Sequence, residues 1–149
     1  MPVLRALGLA PGNTFLARFK MSSNAKVSWN PLVCLVDDDS LFRDSTLRLL
    51  GSFGFRAQTF ASAEEFWNSG YLDEAACLIL DMRMPGMTGI ELQRKLVASH
   101  YEIPVIFITA YEEEGIRAQA LRDGVGVLLV KPFGEQALVK AVNEALKPK

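Results

Sequence analysis

From residue 32 onward the chain alternates short apolar runs with longer amphipathic stretches. The first run, Leu32-Val33-Cys34-Leu35-Val36, is apolar at every position and ends in Asp37-Asp38-Asp39. An uninterrupted apolar run of this length predicts a strand buried on both faces. Leu41, Phe42, Ser45, Leu49 and Leu50 then recur at helical spacing, with a stop at Gly51 and Gly54. A second strand is predicted over 56–60. Ser62, followed three residues later by Glu65, predicts a capping box for a helix through Trp67. The third strand, 77–80, ends at Asp81 and opens a loop, 82–88, rich in Met, Pro and Gly. Thr88 and Glu91 form a second capping box. Ile90, Leu92, Leu96 and Val97 give that helix its apolar face. Pro104 precedes a fourth strand over 105–108. A more polar helix over 112–122 stops at Asp123-Gly124, and a fifth strand covers 127–130. The helix over 133–146 turns Leu138, Val139, Val142 and Leu146 inward.

Five strand–helix units in succession predict an α/β fold, a parallel doubly wound sheet with helices on both faces. In such sheets the binding site lies beyond the carboxyl ends of the strands. Asp37, Asp38, Asp39, Asp81, Thr109 and Lys131 all stand at or just after predicted strand ends. Four different strands thus deliver polar groups to one edge of the sheet. Chance placement would scatter them.

Composition narrows the class. Half of the 149 residues are hydrophobic, enough for one domain with a substantial core. A net charge of -1 speaks against a general nucleic-acid binder. No run of apolar residues is long enough to span a membrane. Cys34 and Cys77 fall inside apolar strands without CxxC spacing, so they are expected as buried thiols in a reducing cytoplasm. Residues 1–30 differ from the rest. They hold Arg5, Arg18, Lys20 and Lys26 and no acid, and Pro2, Pro11-Gly12 and Asn30-Pro31 interrupt any regular element. Three readings of this irregular basic leader stay open: a targeting peptide, sequence upstream of a true start at Met21, or a basic arm that docks on a partner. The start-site reading is preferred, with the folded domain over 31–149.

Carboxylates gathered beside an apolar core repel one another and need a neutraliser. Mg²⁺ suits them, because it prefers hard oxygen ligands and keeps several waters. With the ion present, Asp81 stays ionised and can act as a nucleophile. Lys131 adds a second positive charge and Thr109 a hydroxyl. The set meets the needs of phosphoryl transfer, which is chiefly positioning and charge stabilisation around three equatorial oxygens.

Four ordered motifs carry a family resemblance. They are Val36-Asp37-Asp38-Asp39, the run from Leu80-Asp81 through Met82-Arg83-Met84-Pro85-Gly86-Met87-Thr88-Gly89, Ile108-Thr109-Ala110, and Val130-Lys131-Pro132-Phe133. Over residues 32–147 the chain resembles the receiver domain of two-component response regulators, of the CheY-like superfamily. The Asp-Met-Arg-Met-Pro run is most similar to the nitrogen-fixation and nodulation type. The resemblance implies a flavodoxin-like (βα)5 fold with a five-stranded sheet in the order 2-1-3-4-5. It implies that Asp81 accepts a phosphoryl group from a sensor histidine kinase or a histidine phosphotransfer protein. It also implies Mg²⁺ held by Asp38, Asp81 and the Arg83 backbone carbonyl, with Asp37 acting through water. Lys131 would pair with Asp81 and then with the phosphoryl oxygens, and Thr109 would bond the phosphoryl group. Lys131-Pro132 resembles the family's cis peptide. Asp39 is read as the cap of the first helix. Where the family usually carries Tyr or Phe three residues before the lysine, this chain has Leu128, which puts the shape of the output signal in question.

Other residues receive plainer readings. Arg83 and Tyr111 flank the site, where the family tunes hydrolysis of the phosphoryl group; solvated side chains are an equal reading. Met82, Met84 and Met87 are read as loop packing in preference to a partner surface. His100 is read as a surface residue, so the phosphodonor is another molecule. Glu112-Glu113-Glu114 is a solvated helix start. The chain stops soon after the last helix, so output is expected through protein–protein contact over the 112–146 face and not through a DNA-binding domain. The competing class is a haloacid-dehalogenase-type phosphohydrolase, from the D-x-D reading of Asp37-Asp38-Asp39. That family resemblance wants Thr or Val where Leu41 stands and leaves Asp81 without a role. A phosphorylation-independent interaction module is the third reading, and the intact acidic cluster argues against it.

Overall fold

The structure is a computed structural model, and it describes residues 30–110, 122 and 126–148. The basic leader therefore lies outside the described residues, as do Tyr111, Glu112-Glu113-Glu114 and nearly all of the expected helix over 112–122.

Strand β1 (Leu32–Val36) is buried at all five positions, as its apolar run requires. It pairs in parallel with β2 (Arg56–Phe60) on one side and β3 (Ala75–Asp81) on the other. Strand β4 (Val105–Thr109) extends the sheet from β3, and β5 (Leu128–Val130) follows it. The order is β2-β1-β3-β4-β5, all parallel. Strand β2 lies at an edge, and accordingly exposes Arg56 and Gln58.

Successive strand side chains point to opposite faces, so each central strand feeds two cores. One contains Cys34, Val36, Leu78, Leu80 and Phe107 and is covered by α2 (Ala63–Trp67) and α3 (Gly89–Ala98). The other contains Val33, Leu35, Cys77, Ile79 and Ile106 and is covered by α1 (Ser40–Ser52) and α4 (Glu135–Ala145). The fold is doubly wound, as the alternation of elements predicts. The two cysteines are buried and unpaired, as expected, and burial pushes both thiols up to about 12. They belong to opposite layers.

Several local expectations are corrected. In α1 the buried positions are Thr46 and Leu50, with Phe42 and Leu49 half-buried. Ser45 is exposed and Leu41 is 78% exposed. Leu41 precedes Phe42 by one residue, a rotation of about 100° that takes it off the buried stripe. Val97 sits 62% exposed for the same reason, one residue past the buried Leu96. Helix α1 also runs through Gly51 to Ser52, and the turn falls at Gly54, whose φ of +87° suits glycine. Glu65 completes only half of its capping box. Ser62 Oγ accepts from the Glu65 N–H at 3.0 Å, but the Glu65 carboxylate accepts from Ala61 N–H, not from Ser62. At α3 both halves of the Thr88–Glu91 box form. Strands β3 and β4 run one residue further than expected, so that Asp81 and Thr109 are themselves strand residues. Val127 lies just outside β5, although its carbonyl accepts from Phe107 N–H at 3.0 Å. Phe133 lies before α4 and packs edge-on against Phe42, with ring centroids 6.0 Å apart.

Candidate phosphoacceptor and metal site

The strand register sets the heights of the site residues. Val36, Leu80, Phe107 and Leu128 lie on one rung across the sheet. Asp37 and Asp81 each follow that rung by one residue, Thr109 by two and Lys131 by three. The carboxyl edge of the sheet thus becomes a stepped rim. An open cleft of about 450 Å³ sits there, bounded by Asp38, Asp81, Arg83, Pro85 and Lys131 among others.

Asp37 is fully buried and heavily engaged. Its Oδ2 receives Lys131 Nζ at 2.8 Å, and its Oδ1 accepts from Asp39 N–H at 2.9 Å. Its backbone carbonyl accepts from Arg43 Nη1 at 2.8 Å. Asp39 caps α1, as expected, accepting from the N–H groups of Leu41 and Phe42 at 3.0 and 3.3 Å. Asp38 is exposed between them. Carboxylate oxygens of Asp37, Asp38 and Asp81 all lie within 4.8 Å of one another.

Asp81 is buried at the end of β3 and accepts from Arg83 N–H at 3.1 Å. Its carboxyl is pushed up from 3.8 to about 6. Burial is the largest cause, and the Asp37 charge adds to it; the Arg83 N–H and the Lys131 ammonium pull the other way. Such a carboxyl gains from a cation that offsets its acidic neighbours. Three hard-oxygen donors at this spacing on an open rim fit Mg²⁺, with room left for water in its shell.

Lys131 is paired differently from the family-based expectation. Its ion pair in this structure is to Asp37, not Asp81. The fully buried Asp37 has the greater need of a counter-charge. The ammonium also lies 4.0 Å from the centre of the Phe42 ring, a cation–π contact. The Lys131-Pro132 peptide is cis. Lys131 N–H donates to the Thr109 carbonyl at 2.7 Å, which ties the ends of β4 and β5 together. Thr109 itself is 1% exposed.

Two supporting residues are not evident from sequence. A Cβ on Gly89 would overlap the Asp81 carbonyl oxygen, so only glycine lets α3 start this close to the acceptor strand. Phe42, expected as a core residue, also supports the lysine with its ring. Met82 and Met84 are buried and Met87 is half-buried on the same core, which agrees with loop packing. His100 is exposed with φ +67°, just past the end of α3. Leu128 is half-buried and packs toward the core beneath α2 and α3.

Comparison with known proteins accords with this geometry. Residues 33–143 match the family model for the response regulator receiver domain. The transcriptional regulatory protein TdiR of Thauera aromatica is 38% identical over 114 residues, 76% of this chain and 50% of TdiR. Nodulation protein W of Bradyrhizobium diazoefficiens is 35% identical, over 82% of this chain and 54% of its own. The chain thus spans about half the length of the curated relatives it matches. Among solved structures, response regulator StyR superposes with a TM-score of 0.72 at 43% identity, over 79% of this chain and 60% of its own. The FixJ-N structure superposes with a TM-score of 0.71 at 30% identity, over 80% of this chain and 95% of its own. No helix among the described residues is long and apolar enough to cross a membrane. Family match, relatives and stepped acidic rim converge: this chain belongs to the response regulator receiver domains of two-component systems.

Proposed function

We propose that this receiver takes a phosphoryl group onto Asp81 from a phosphohistidine of a sensor kinase or a histidine phosphotransfer protein. The observation that carries the reading is the convergence of Asp37, Asp38 and Asp81 within 4.8 Å on the rim that also presents Lys131. Among the acids, Asp81 suits the acceptor role. Both line the cleft, but Asp37 is held on Oδ1 by an N–H and on Oδ2 by an ammonium, whereas Asp81 accepts from one backbone N–H on Oδ1. The same contrast disfavours a dehalogenase-type phosphohydrolase, whose nucleophile would be Asp37.

In the transfer, an Asp81 carboxylate oxygen forms a bond to phosphorus while the bond from phosphorus to the donor imidazole nitrogen breaks. The imidazole leaves with the electron pair and takes up a proton. Asp38, Asp81 and the Arg83 carbonyl would hold Mg²⁺, with Asp37 acting through water. The ion supplies charge neutralisation for the phosphoryl oxygens. Lys131 swings from Asp37 to the new phosphoryl group, and the Thr109 hydroxyl donates to it. Output then passes to a protein partner in the cytoplasm through a surface that includes β5 and α4.

The test is labelling with acetyl phosphate and Mg²⁺, read by intact-protein mass. The wild type gains one phosphoryl group and Asp81→Asn gains none. An Asp81→Asn protein that labels like the wild type overturns the assignment.

A further inference from the structure

A carboxylate outside the cleft grips the loop that leads away from Asp81. We infer that Glu64 is a positioning residue for the metal site, acting as a latch on the loop over 82–88. The inference rests on the metal reading above. Glu64 sits in the first turn of α2, and its Oε2 accepts from Met87 N–H at 2.9 Å, across 23 positions of sequence. The same oxygen lies 2.7 Å from where a Cβ on Gly86 would stand, and Gly86 has φ +77°. Glycine at 86 therefore serves two purposes: it takes the left-handed turn, and it leaves room for the carboxylate. The hydrogen bond to Met87 holds the Glu64 carboxyl below the usual carboxylate range.

A second contact binds the same two elements. Ala63 and Phe66 of α2 share one buried cluster with Met82 and Met84 of the loop. The loop is thus fixed on its apolar side by packing and at its far end by Glu64. At its near end Arg83 N–H donates to Asp81 Oδ1, and Gly89 N–H donates to the Met82 carbonyl at 3.3 Å. Arg83, whose carbonyl is the expected third protein ligand, lies between these anchors. Loosening the far anchor lets that carbonyl wander, and a metal ligand that wanders binds less well. The neighbouring Glu65 takes no part, because its carboxylate turns back to Ala61. Two adjacent glutamates of equal charge thus differ in one contact.

The experiment is calorimetric titration of the full chain with Mg²⁺, together with amide exchange at Met87. Glu64→Ala should bind Mg²⁺ about fivefold more weakly, the scale of one lost hydrogen bond, and its Met87 amide should exchange faster. Glu64→Gln keeps an accepting oxygen without the charge and should bind as the wild type does. Glu65→Ala should also bind as the wild type does. Gly86→Ala should weaken binding more in the wild-type background than in the Glu64→Ala background, because the new methyl meets the Glu64 carboxylate. Equal losses in Glu64→Gln, Glu64→Ala and Glu65→Ala would mean simple charge attraction and overturn the latch. So would wild-type affinity in Glu64→Ala. A wild-type chain that takes up no Mg²⁺ overturns the metal reading and the latch with it.

Discussion

Replacing Asp81 with Asn should stabilise the metal-free protein at neutral pH while abolishing its phosphorylation. The reason is the raised carboxyl, about 6 in the folded chain against 3.8 for a free side chain. A carboxyl with a raised folded-state value is harder to ionise in the native protein than in the unfolded one. Above pH 6 both states are ionised, and the native state carries the full penalty. Two pH units correspond to about 3 kcal/mol. Between 6 and 3.8 the native group protonates first and the penalty shrinks, to about 1 kcal/mol by pH 4.5 on the same linkage. Below 3.8 it vanishes. Asn is neutral at every pH and retains an oxygen for the Arg83 N–H, so it escapes the penalty. The assay is urea unfolding in EDTA, wild type against Asp81→Asn, at pH 8 and pH 4.5. The variant should be more stable by about 2–3 kcal/mol at pH 8 and by about 1 kcal/mol at pH 4.5. Adding Mg²⁺ at pH 8 should narrow the gap, since the ion binds the native wild type preferentially. A variant that is no more stable at pH 8, or a gain that does not change with pH, would refute the reasoning.

The same site gives further expectations. EDTA should block labelling by acetyl phosphate and excess Mg²⁺ should restore it; labelling that ignores EDTA would remove the role given to Asp38. With Mg²⁺ saturating, the ion holds Asp81 ionised below its metal-free value of about 6, so the labelling rate should stay level from pH 8 to 6; a rate that falls through pH 6 would argue that the ion does not sit against Asp81. Gly89→Ala should lose about 1–3 kcal/mol in thermal unfolding and label at least several-fold more slowly, since its methyl displaces the Asp81 backbone. Asp39→Ala should cost about 1 kcal/mol of stability through the lost helix cap yet still label; complete loss of labelling would give Asp39 more than a capping role.

What could be read from the sequence was whatever depends on local pattern. Buried strands announce themselves as unbroken apolar runs, so β1 and β3 were found with their trailing aspartates. Asp39 and Thr88 were found because capping involves neighbours within three residues. The failures share a cause in three-dimensional geometry. Leu41 and Val97 are apolar residues adjacent to the buried stripe, and a pattern of apolar letters does not show which of two neighbours turns inward. Glu65 reached one residue further back than the motif predicts. The choice of Asp37 over Asp81 by Lys131 depends on which carboxylate is more deeply buried, and adjacent strand ends look alike in sequence. Gly89 and Glu64 matter through close approach to backbone beyond the reach of a capping or periodicity pattern, Asp81 eight residues back for one and Met87 twenty-three residues on for the other. Neither leaves a local trace.

The placement of Cys34 and Cys77 on opposite sides of the sheet has a practical consequence. A thiol reacts as its thiolate, and with both groups held near 12 neither forms one at pH 8 while the fold is closed. Alkylation must therefore wait for the overlying layer to lift. Cys34 times the opening of the side covered by α2 and α3, and Cys77 times the side covered by α1 and α4. The molecule thus carries two natural clocks, one per layer. Comparing their rates before and after phosphorylation would show which half of the receiver the signal tightens.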